Sequence, residues 1–517
     1  MSSSHTIESV SEPQLLRLGQ ELAFIARRGD LLALSGELGA GKTTLARAIL
    51  RSLIGSEEEI PSPTFTLVQT YVTARMPAAH FDLYRLGAPG ELEELGLDPA
   101  LKSGIAIVEW PERAGALLPG DRLDVRLDDN GAAASRRVTL TGHGSWAQRL
   151  DRFMAMRRLI GNGGNGAANG NGCSHELRYL QGDASIRRYG RLARGEAGNA
   201  ILMDWPRQPD GPPIRNGLPY SRLAHLAEDV RPFVAVANAL AAAGLTVPRI
   251  HAQDLDNGFL VLDDLGDRVF GSEITGGATD QATLWSAATD ALVELRRAPA
   301  PQALPVDGNG VHEVASYDTG AMAIETELLI DWYWPALRGA AVPDSERAAF
   351  TGAWADVFAE LAKLPPGWVL RDYHSPNLLW LPEREGIARV GVIDFQDAMR
   401  GPAAYDLVSL LQDARVDVAP ELEADLFERY CAGAAAHGAF DREAFAFAYA
   451  ALGAQRNTKI VGIFARLAKR DGKPGYLQHI PRLWRYLDRD LAHPRLAALR
   501  RWYDRNFPAD ARAIPAA

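Results

Sequence analysis

Two short constellations in this 517-residue chain hold the residue types of phosphoryl chemistry. The first is Gly36-Glu37-Leu38-Gly39-Ala40-Gly41-Lys42-Thr43, a G-x-x-x-x-G-K-[ST] pattern between an apolar run and a helical one that starts at Thr44. Its glycines let backbone N–H groups wrap phosphate oxygens, helped by the positive end of the following helix. Lys42 is then placed for the β- and γ-phosphates and Thr43 for Mg²⁺. The second is Asp372-Tyr373-His374-Ser375-Pro376-Asn377, which reads D-x-x-x-x-N. Asp394 follows 17 residues after Asn377, at the end of the apolar run Val392-Ile393. Transfer of a phosphoryl group to an alcohol needs a carboxylate to take the hydroxyl proton. It also needs an oxygen donor and a second carboxylate to hold Mg²⁺ on ATP. Asp372 fits the base, and Asn377 and Asp394 fit the metal ligands.

The chain contains only six lysines, against 49 arginines, so a lysine inside a motif carries weight. Around the first constellation lie Ser62-Pro63-Thr64-Phe65-Thr66-Leu67, His80-Phe81-Asp82-Leu83-Tyr84-Arg85 and Val108-Glu109-Trp110-Pro111-Glu112. Glu109 closes an apolar strand, where a metal-side or water-orienting carboxylate sits in a phosphate-loop enzyme. Asp82 is a second candidate for the metal. Their alternatives are a structural acid for Glu109 and a capping or surface acid for Asp82. In the second constellation, His374 reads as a buried hydrogen-bonding histidine. Asp406 reads as an N-cap or loop anchor.

The elements that must position these groups follow from periodicity. Leu15, Leu18, Leu22 and Ile25 repeat as one helical face. Leu31–Leu34 and Ile105–Val108 read as buried strands, and a helix spans Thr44 to Leu53. The HFDLYR segment, Leu123–Leu127 and Arg137–Leu140 read as edge strands. Strand, loop, helix and strand in that order predict an α/β phosphate-loop domain. Farther on, Arg188–Asp204 and Ala252–Leu262 hold strand-like runs. Helical periodicity dominates from Ala282, interrupted by a strand pair near Leu378–Leu381 and Val390–Ile393. This pattern predicts a bilobal, protein-kinase-like α+β domain.

Residues 161–172 read GNGGNGAANGNG, with nothing to anchor a core, and predict a flexible linker. The expected domains are 1–157, a linker over 158–174, and 175–517. The last divides into a small lobe over about 175–265 and a large lobe over about 266–517. A hydrophobic fraction of 47% with 23% charged residues excludes a disordered or fibrous chain. A net charge of −10 argues against strong direct nucleic-acid binding. Two cysteines make neither a disulfide framework nor a zinc site. No apolar stretch is long enough for a bilayer, so a cytoplasmic protein without membrane contact is expected.

The phosphate loop, SPTFTL, HFDLYR and VEWPE together resemble the TsaE family over about residues 8–148. These are small bacterial ATPases needed for threonylcarbamoyladenosine modification of tRNA. The resemblance implies ATP bound by residues 36–43, with Thr43, Asp82 and Glu109 around Mg²⁺ and the attacking water. It also implies a TsaB–TsaD-type complex as partner. The family is usually freestanding, so the fusion is a departure.

The second constellation resembles the aminoglycoside-phosphotransferase-like kinases. More narrowly, GDASIRRY at 182–189, RPFV at 231–234, Arg371-Asp372-Tyr373-His374 and the helix around Gln455–Leu467 resemble the AmgK-type anomeric kinases. That likeness covers about residues 177–505. It implies ATP-dependent phosphorylation of N-acetylmuramate and N-acetylglucosamine at the anomeric hydroxyl, in cell-wall recycling. Protein kinases place a small-lobe lysine on the phosphates. This chain has none between Lys102 and Lys363, and Arg187 or Arg188 is expected to substitute. Gly182–Ser185 is expected to form a short phosphate-covering turn. Trp332, Tyr333 and Trp334 read as sugar-stacking or core residues. Glu325, Glu327 and Asp331 read as sugar-hydroxyl acceptors or a solvated face. Two alternatives stand beside this reading. The acceptor is another small alcohol, such as an aminoglycoside or choline, or the phosphate-loop domain is a nucleotide-binding module that regulates the kinase.

Overall fold

The two apolar runs Leu31–Leu34 and Ile105–Val108 lie side by side as parallel strands inside a seven-stranded sheet. In the computed structural model, residues 2–56, 59–131, 135–162, 175–180, 187–195, 198–307 and 310–515 are described. The Gly182–Ser185 turn and most of the glycine–asparagine segment lie outside them.

The first sheet is built from β1 (Ser3–Ser11), β2 (Leu31–Gly36), β3 (Val68–Tyr71), β4 (Ala78–Asp82), β5 (Ile105–Glu109), β6 (Arg122–Asp129) and β7 (Ser135–His143). Its spatial order is β1-β7-β6-β2-β5-β4-β3. The central strands β4, β5, β2 and β6 are parallel. Helices α1 (Glu12–Ile25), α2 (Lys42–Ile54) and α3 (Trp146–Asn162) complete the layer structure. The helical face of Leu15, Leu18 and Leu22 is buried as its period predicts. Three strands expected at edges are interior. β4 is covered by β3 and β5, and all five of its residues are buried. The polar N-terminal segment supplies β1, so β6 and β7 are flanked on both sides. Alternation reports one wet face, and it does not report which strand has an unpaired edge.

A second sheet is antiparallel throughout. Its strands are β8 (Glu176–Leu180), β9 (Arg188–Ala193), β10 (Asn199–Asp204), β11 (Ile250–Asp254) and β12 (Phe259–Asp263), in the order β11-β12-β10-β9-β8. The chain forms two compact units, and they do not divide at the linker. One comprises residues 1–207 and 250–264, so it includes both sheets. The other comprises 208–249 and 265–517. The expected boundary near 157–175 therefore separates two sheets that share one core, and α3 continues through Gly161 to Asn162.

The second unit is mainly helical. It contains α4 (Arg231–Ala242), α5 (Thr319–Leu328), α6 (Ala404–Leu411) and the 30-residue α7 (Arg442–Asp471). Two small antiparallel pairs interrupt them. One joins β13 (Gly367–Val369) to β16 (Met399–Gly401), and the other joins β14 (Leu378–Trp380) to β15 (Val390–Val392). These pairs hold both ends of the Asp372 loop and carry the chain to Asp394. Tyr333 and Trp334 belong to the core, packed with Trp484, Trp502 and Phe507, whereas Trp332 is half-buried.

Candidate active sites

In the first unit the phosphate loop leaves β2 at Gly36 and enters α2 at Lys42. Two of its glycines are required by geometry. Gly36 has φ +134°, and a Cβ there would lie 2.2 Å from Leu127 O. Gly41 has φ +106°, with the Leu15 side chain against the place a Cβ would occupy. Lys42 is buried, and its ammonium donates to Gly36 O at 2.7 Å and Glu37 O at 2.8 Å. It also lies 3.6 Å from the Trp110 ring centroid. Burial lowers its pKa, opposed by Glu109, Glu112 and Asp82. Trp110 adopts φ +59°, a left-handed conformation that costs a non-glycine residue about 1–3 kcal/mol.

Asp82 and Glu109 are register partners at the carboxyl ends of the adjacent parallel strands β4 and β5. This is where open α/β sheets bind ligands. Thr43 Oγ1 donates to Glu109 Oε2 at 2.8 Å, and His80 Nε2 lies 2.8 Å from Glu109 Oε1. Thr64 Oγ1 donates to Asp82 Oδ2 at 2.8 Å. The expected trio of Thr43, Asp82 and Glu109 is therefore gathered at one end of the sheet. One hydroxyl and two carboxylates are hard oxygen donors of the kind Mg²⁺ takes when phosphates complete its shell. His80 and Trp110 were missed as functional residues. Both stand inside the motifs already singled out, and only their contacts with Glu109 and Lys42 mark them.

In the second unit, Asn377 Nδ2 donates to Asp372 O at 3.0 Å and lies 3.5 Å from Asp394 Oδ2. The three residues expected to act together are thus brought together. Gln396 Nε2 donates to Asp394 Oδ1 at 3.2 Å. Among the described residues, no three His, Cys, Asp or Glu side chains group to hold a metal by themselves. The amide and carboxylate oxygens of Asn377 and Asp394 nevertheless suit Mg²⁺ carried in on nucleotide phosphates.

The Asp372 loop is strained and heavily anchored. Arg371 and Asp394 have φ +70° and +64°. Asp406 accepts from Leu370 N at 2.7 Å and Arg371 N at 3.0 Å, which makes it the loop anchor. It is not the helix cap, since Ala403 occupies that position. Burial pushes the Asp406 carboxyl up to about 7, against the two amide bonds. Arg371 donates to Ala224 O at 2.9 Å and forms a buried ion pair with Glu325. Lys459 donates to the same Glu325 oxygen at 2.8 Å. Tyr317 and Gln455 donate to the other, at 2.6 and 3.0 Å. Burial raises the Glu325 pKa, but Lys459 and Arg371 outweigh it and hold the carboxyl at about 2.

Burial likewise raises Asp372. The surrounding His374, Lys459, Arg371 and Arg456 overcome it and hold the carboxyl below its ordinary range. His374 is itself pushed down to about 4, chiefly by burial. It is neutral near pH 7, so the lasting positive charges around Asp372 are Lys459, Arg371 and Arg456. His374 is a hydrogen-bonded buried residue as expected, between Arg456 and Asn377.

The three acids read as sugar-hydroxyl acceptors or a solvated face are all ion-paired, and only Asp331 lies on an exposed face. Glu325 is fully buried in this charge cluster, Glu327 pairs with Arg215, and Asp331 pairs with Arg347. None of the three stands as a free sugar-hydroxyl acceptor. Arg188 has partners of its own within the first unit. Its guanidinium donates to Ile25 O at 3.0 Å and lies 3.9 Å from Asp204. Arg187 lies 5.0 Å from the Trp205 ring centroid. Lys459, Glu325 and Arg371 were missed as a group, because α5, α7 and the Asp372 loop are far apart in the chain.

The comparisons with known proteins divide the chain as its chemistry does. The family described as "Threonylcarbamoyl adenosine biosynthesis protein TsaE" matches residues 9–138. The "Phosphotransferase enzyme family" matches residues 176–448. A TsaE protein of Streptomyces coelicolor is 43% identical over 25% of this chain and 92% of its own. An N-acetylmuramate/N-acetylglucosamine kinase of Caulobacter vibrioides is 44% identical over 64% of this chain and 92% of its own. The chain belongs to both families. A Pseudomonas aeruginosa kinase of the same name is 37% identical over 63% of this chain and 86% of its own. The TsaE match ends inside β7, and the phosphotransferase match begins at β8. No helix among the described residues is long and apolar enough to cross a membrane.

Proposed function

We propose that the chain is a bifunctional cytoplasmic enzyme. Its phosphotransferase part moves the γ-phosphoryl of Mg-ATP to the anomeric hydroxyl of N-acetylmuramate and N-acetylglucosamine. Its TsaE part is a Mg-ATPase that supports threonylcarbamoyladenosine formation on tRNA with a TsaB–TsaD-type complex. The observation that carries the kinase reading is the convergence of Asp372, Asn377 and Asp394, in a chain 44% identical to a kinase named for these sugars over 92% of that kinase's length. Asp372 takes the hydroxyl proton as the oxygen attacks the γ-phosphorus and the bond to the bridging oxygen breaks to release ADP, and Asn377 and Asp394 would hold the Mg²⁺ that comes with the nucleotide. The phosphate-contacting role is proposed for Arg187 or Arg188. A protein partner for the ATPase is supported by Leu38 and Phe65. These large apolar side chains on the site's own loops are 81% and 82% exposed.

The deciding experiment is ³¹P NMR of each sugar incubated with the full chain and Mg-ATP. An anomeric phosphate doublet is expected with both sugars. Product with an aminoglycoside or choline, and none with either sugar, would replace the acceptor assignment. Chelation with EDTA is expected to stop sugar phosphorylation and basal ATP hydrolysis together, and excess Mg²⁺ to restore both. For the ATPase, Glu109→Gln removes the carboxylate that holds Thr43 and His80. Hydrolysis is expected to fall by about 10²-fold or more, read as phosphate release in the presence of the partner complex. Unchanged hydrolysis would remove Glu109 from the site.

A further inference from the structure

One face of the five-stranded sheet is apolar, and its row positions show it directly. Val261, Leu202, Gly190 and Tyr179 are consecutive cross-strand partners on β12, β10, β9 and β8. Ala200, Leu192 and Leu177 form the neighbouring row. Alternation puts both rows on one side of the sheet. Left bare, that side would be a contiguous apolar patch. It is instead part of the same core as Leu18, Leu22 and Phe24 of α1 and Phe153 and Met156 of α3. Gly190 lies beneath the Phe24 ring, with no room for a side chain. A Cβ there would come 3.0 Å from the Phe24 ring.

The rim of this contact is built as carefully as its centre. Arg152 on α3 donates to Asp204 at 2.5 Å and Asn257 O at 2.8 Å, and lies 3.9 Å from the Phe259 ring centroid. Gln20 on α1 accepts from Leu177 N at 3.0 Å. Glu21, buried, accepts from Arg157 at 2.6 Å and lies 3.0 Å from His175 Nε2. Arg188 caps Ile25 O. Two buried acids, Asp204 and Glu21, thus have partners from across the contact, Arg152 and His175, and removing a partner would leave a buried carboxylate less compensated.

The same helix reaches the phosphate loop. Leu15, near its start, packs against Gly41, and Gly19 lets α1 close onto Ala48 of α2. One 14-residue helix therefore touches the nucleotide loop at one end and the second sheet at the other.

We propose that the TsaE domain and the five-stranded sheet of the phosphotransferase are one cooperative folding unit, so that nucleotide held at Gly36–Thr43 stabilises the kinase's own sheet. The fusion is then a structural dependence and not only shared expression. A ligand that binds a cooperative unit slows its opening everywhere, by a factor of about 1 + [L]/Kd. With ADP at 100 times its Kd for the loop, amides of β9 and β10 that exchange by unit opening slow by up to about 100-fold, together with those of β2.

The test is hydrogen–deuterium exchange on the full chain with Mg-ADP, comparing the native sequence with Lys42→Ala. The protection that Lys42→Ala removes is expected to be lost in β9 and β10 as well as in β2. Loss confined to β2 would overturn the proposal. A second measurement needs no change in the contact. A protease site is placed within residues 163–172 of the full chain and cut to completion. The two pieces are expected to leave a gel-filtration column as one species, and separate elution would refute the shared unit. Neither readout depends on which sugar the kinase accepts.

Discussion

Asp372→Asn is expected to lower kcat for sugar phosphorylation by about 10²–10⁴-fold, the range a general base supplies. The carboxylate is held in its ionised form by Lys459, Arg371 and Arg456 despite burial, so the native group is ready to accept a proton at neutral pH. Asparagine keeps the size and cannot accept that proton. The loop should survive the change, because Asp406 and Glu325 anchor it through Leu370 and Arg371 without using the Asp372 side chain. The check is a coupled ADP assay with N-acetylmuramate, beside an unfolding curve. A fall in kcat with KM for the sugar and the unfolding midpoint near native values is the expected result. Full activity in the variant would dismiss Asp372 as the base. ATP hydrolysis at the phosphate loop provides an internal control in the same chain.

Glu325→Leu is expected to cost about 3–5 kcal/mol of stability, since it leaves the buried charges of Arg371 and Lys459 without their shared partner. It should also disorder the Asp372 loop and abolish kinase activity. Glu325→Gln separates charge from shape. The folded carboxyl titrates at about 2 against 4.5 for an ordinary glutamate. The unfolded chain therefore binds more protons between these values. The stabilisation is complete above pH 4.5 and is lost as pH falls toward 2. A shift of this size corresponds to about 3 kcal/mol. Denaturant unfolding of the native chain between pH 5 and pH 2.5 is expected to show this acid limb, and Glu325→Gln to flatten it. An identical acid limb in Glu325→Gln would place the stabilising charge elsewhere.

Much of the chemistry was legible because it is local in the chain. The phosphate loop is eight consecutive residues, and in the fold they form the turn from β2 into α2, with Lys42 donating to Gly36 O and Glu37 O and Thr43 donating to Glu109. Glu109 was found as the acid that ends an apolar strand and Asp82 as a second candidate in a segment read as an edge strand, and parallel register places them side by side. The Asp372, Asn377 and Asp394 set was equally readable, because one short strand pair links them. Arg188 shows where such reading stops. It and Arg187 are the expected substitutes for a missing lysine because of their place beside a glycine-containing turn, and the sequence did not show that Arg188 also reaches Asp204 and α1. Nothing within ten residues of it in the chain reports that environment.

By itself, then, the sequence determined the two families and the two candidate sites, because each motif is a near-contiguous spacing rule of the kind phosphate and metal geometry impose. Only the tertiary structure decided what the buried charges do and where the molecule divides. Glu325, Arg371 and Lys459 meet from three separate segments, and no spacing rule relates them. The glycine–asparagine run reads as a boundary because it cannot build a core. The two family matches lie on either side of that run, and Phe24, Phe153 and the apolar face of the second sheet nevertheless share one core across it. Burial depends on which surfaces meet, and that is a property of the folded chain rather than of any segment.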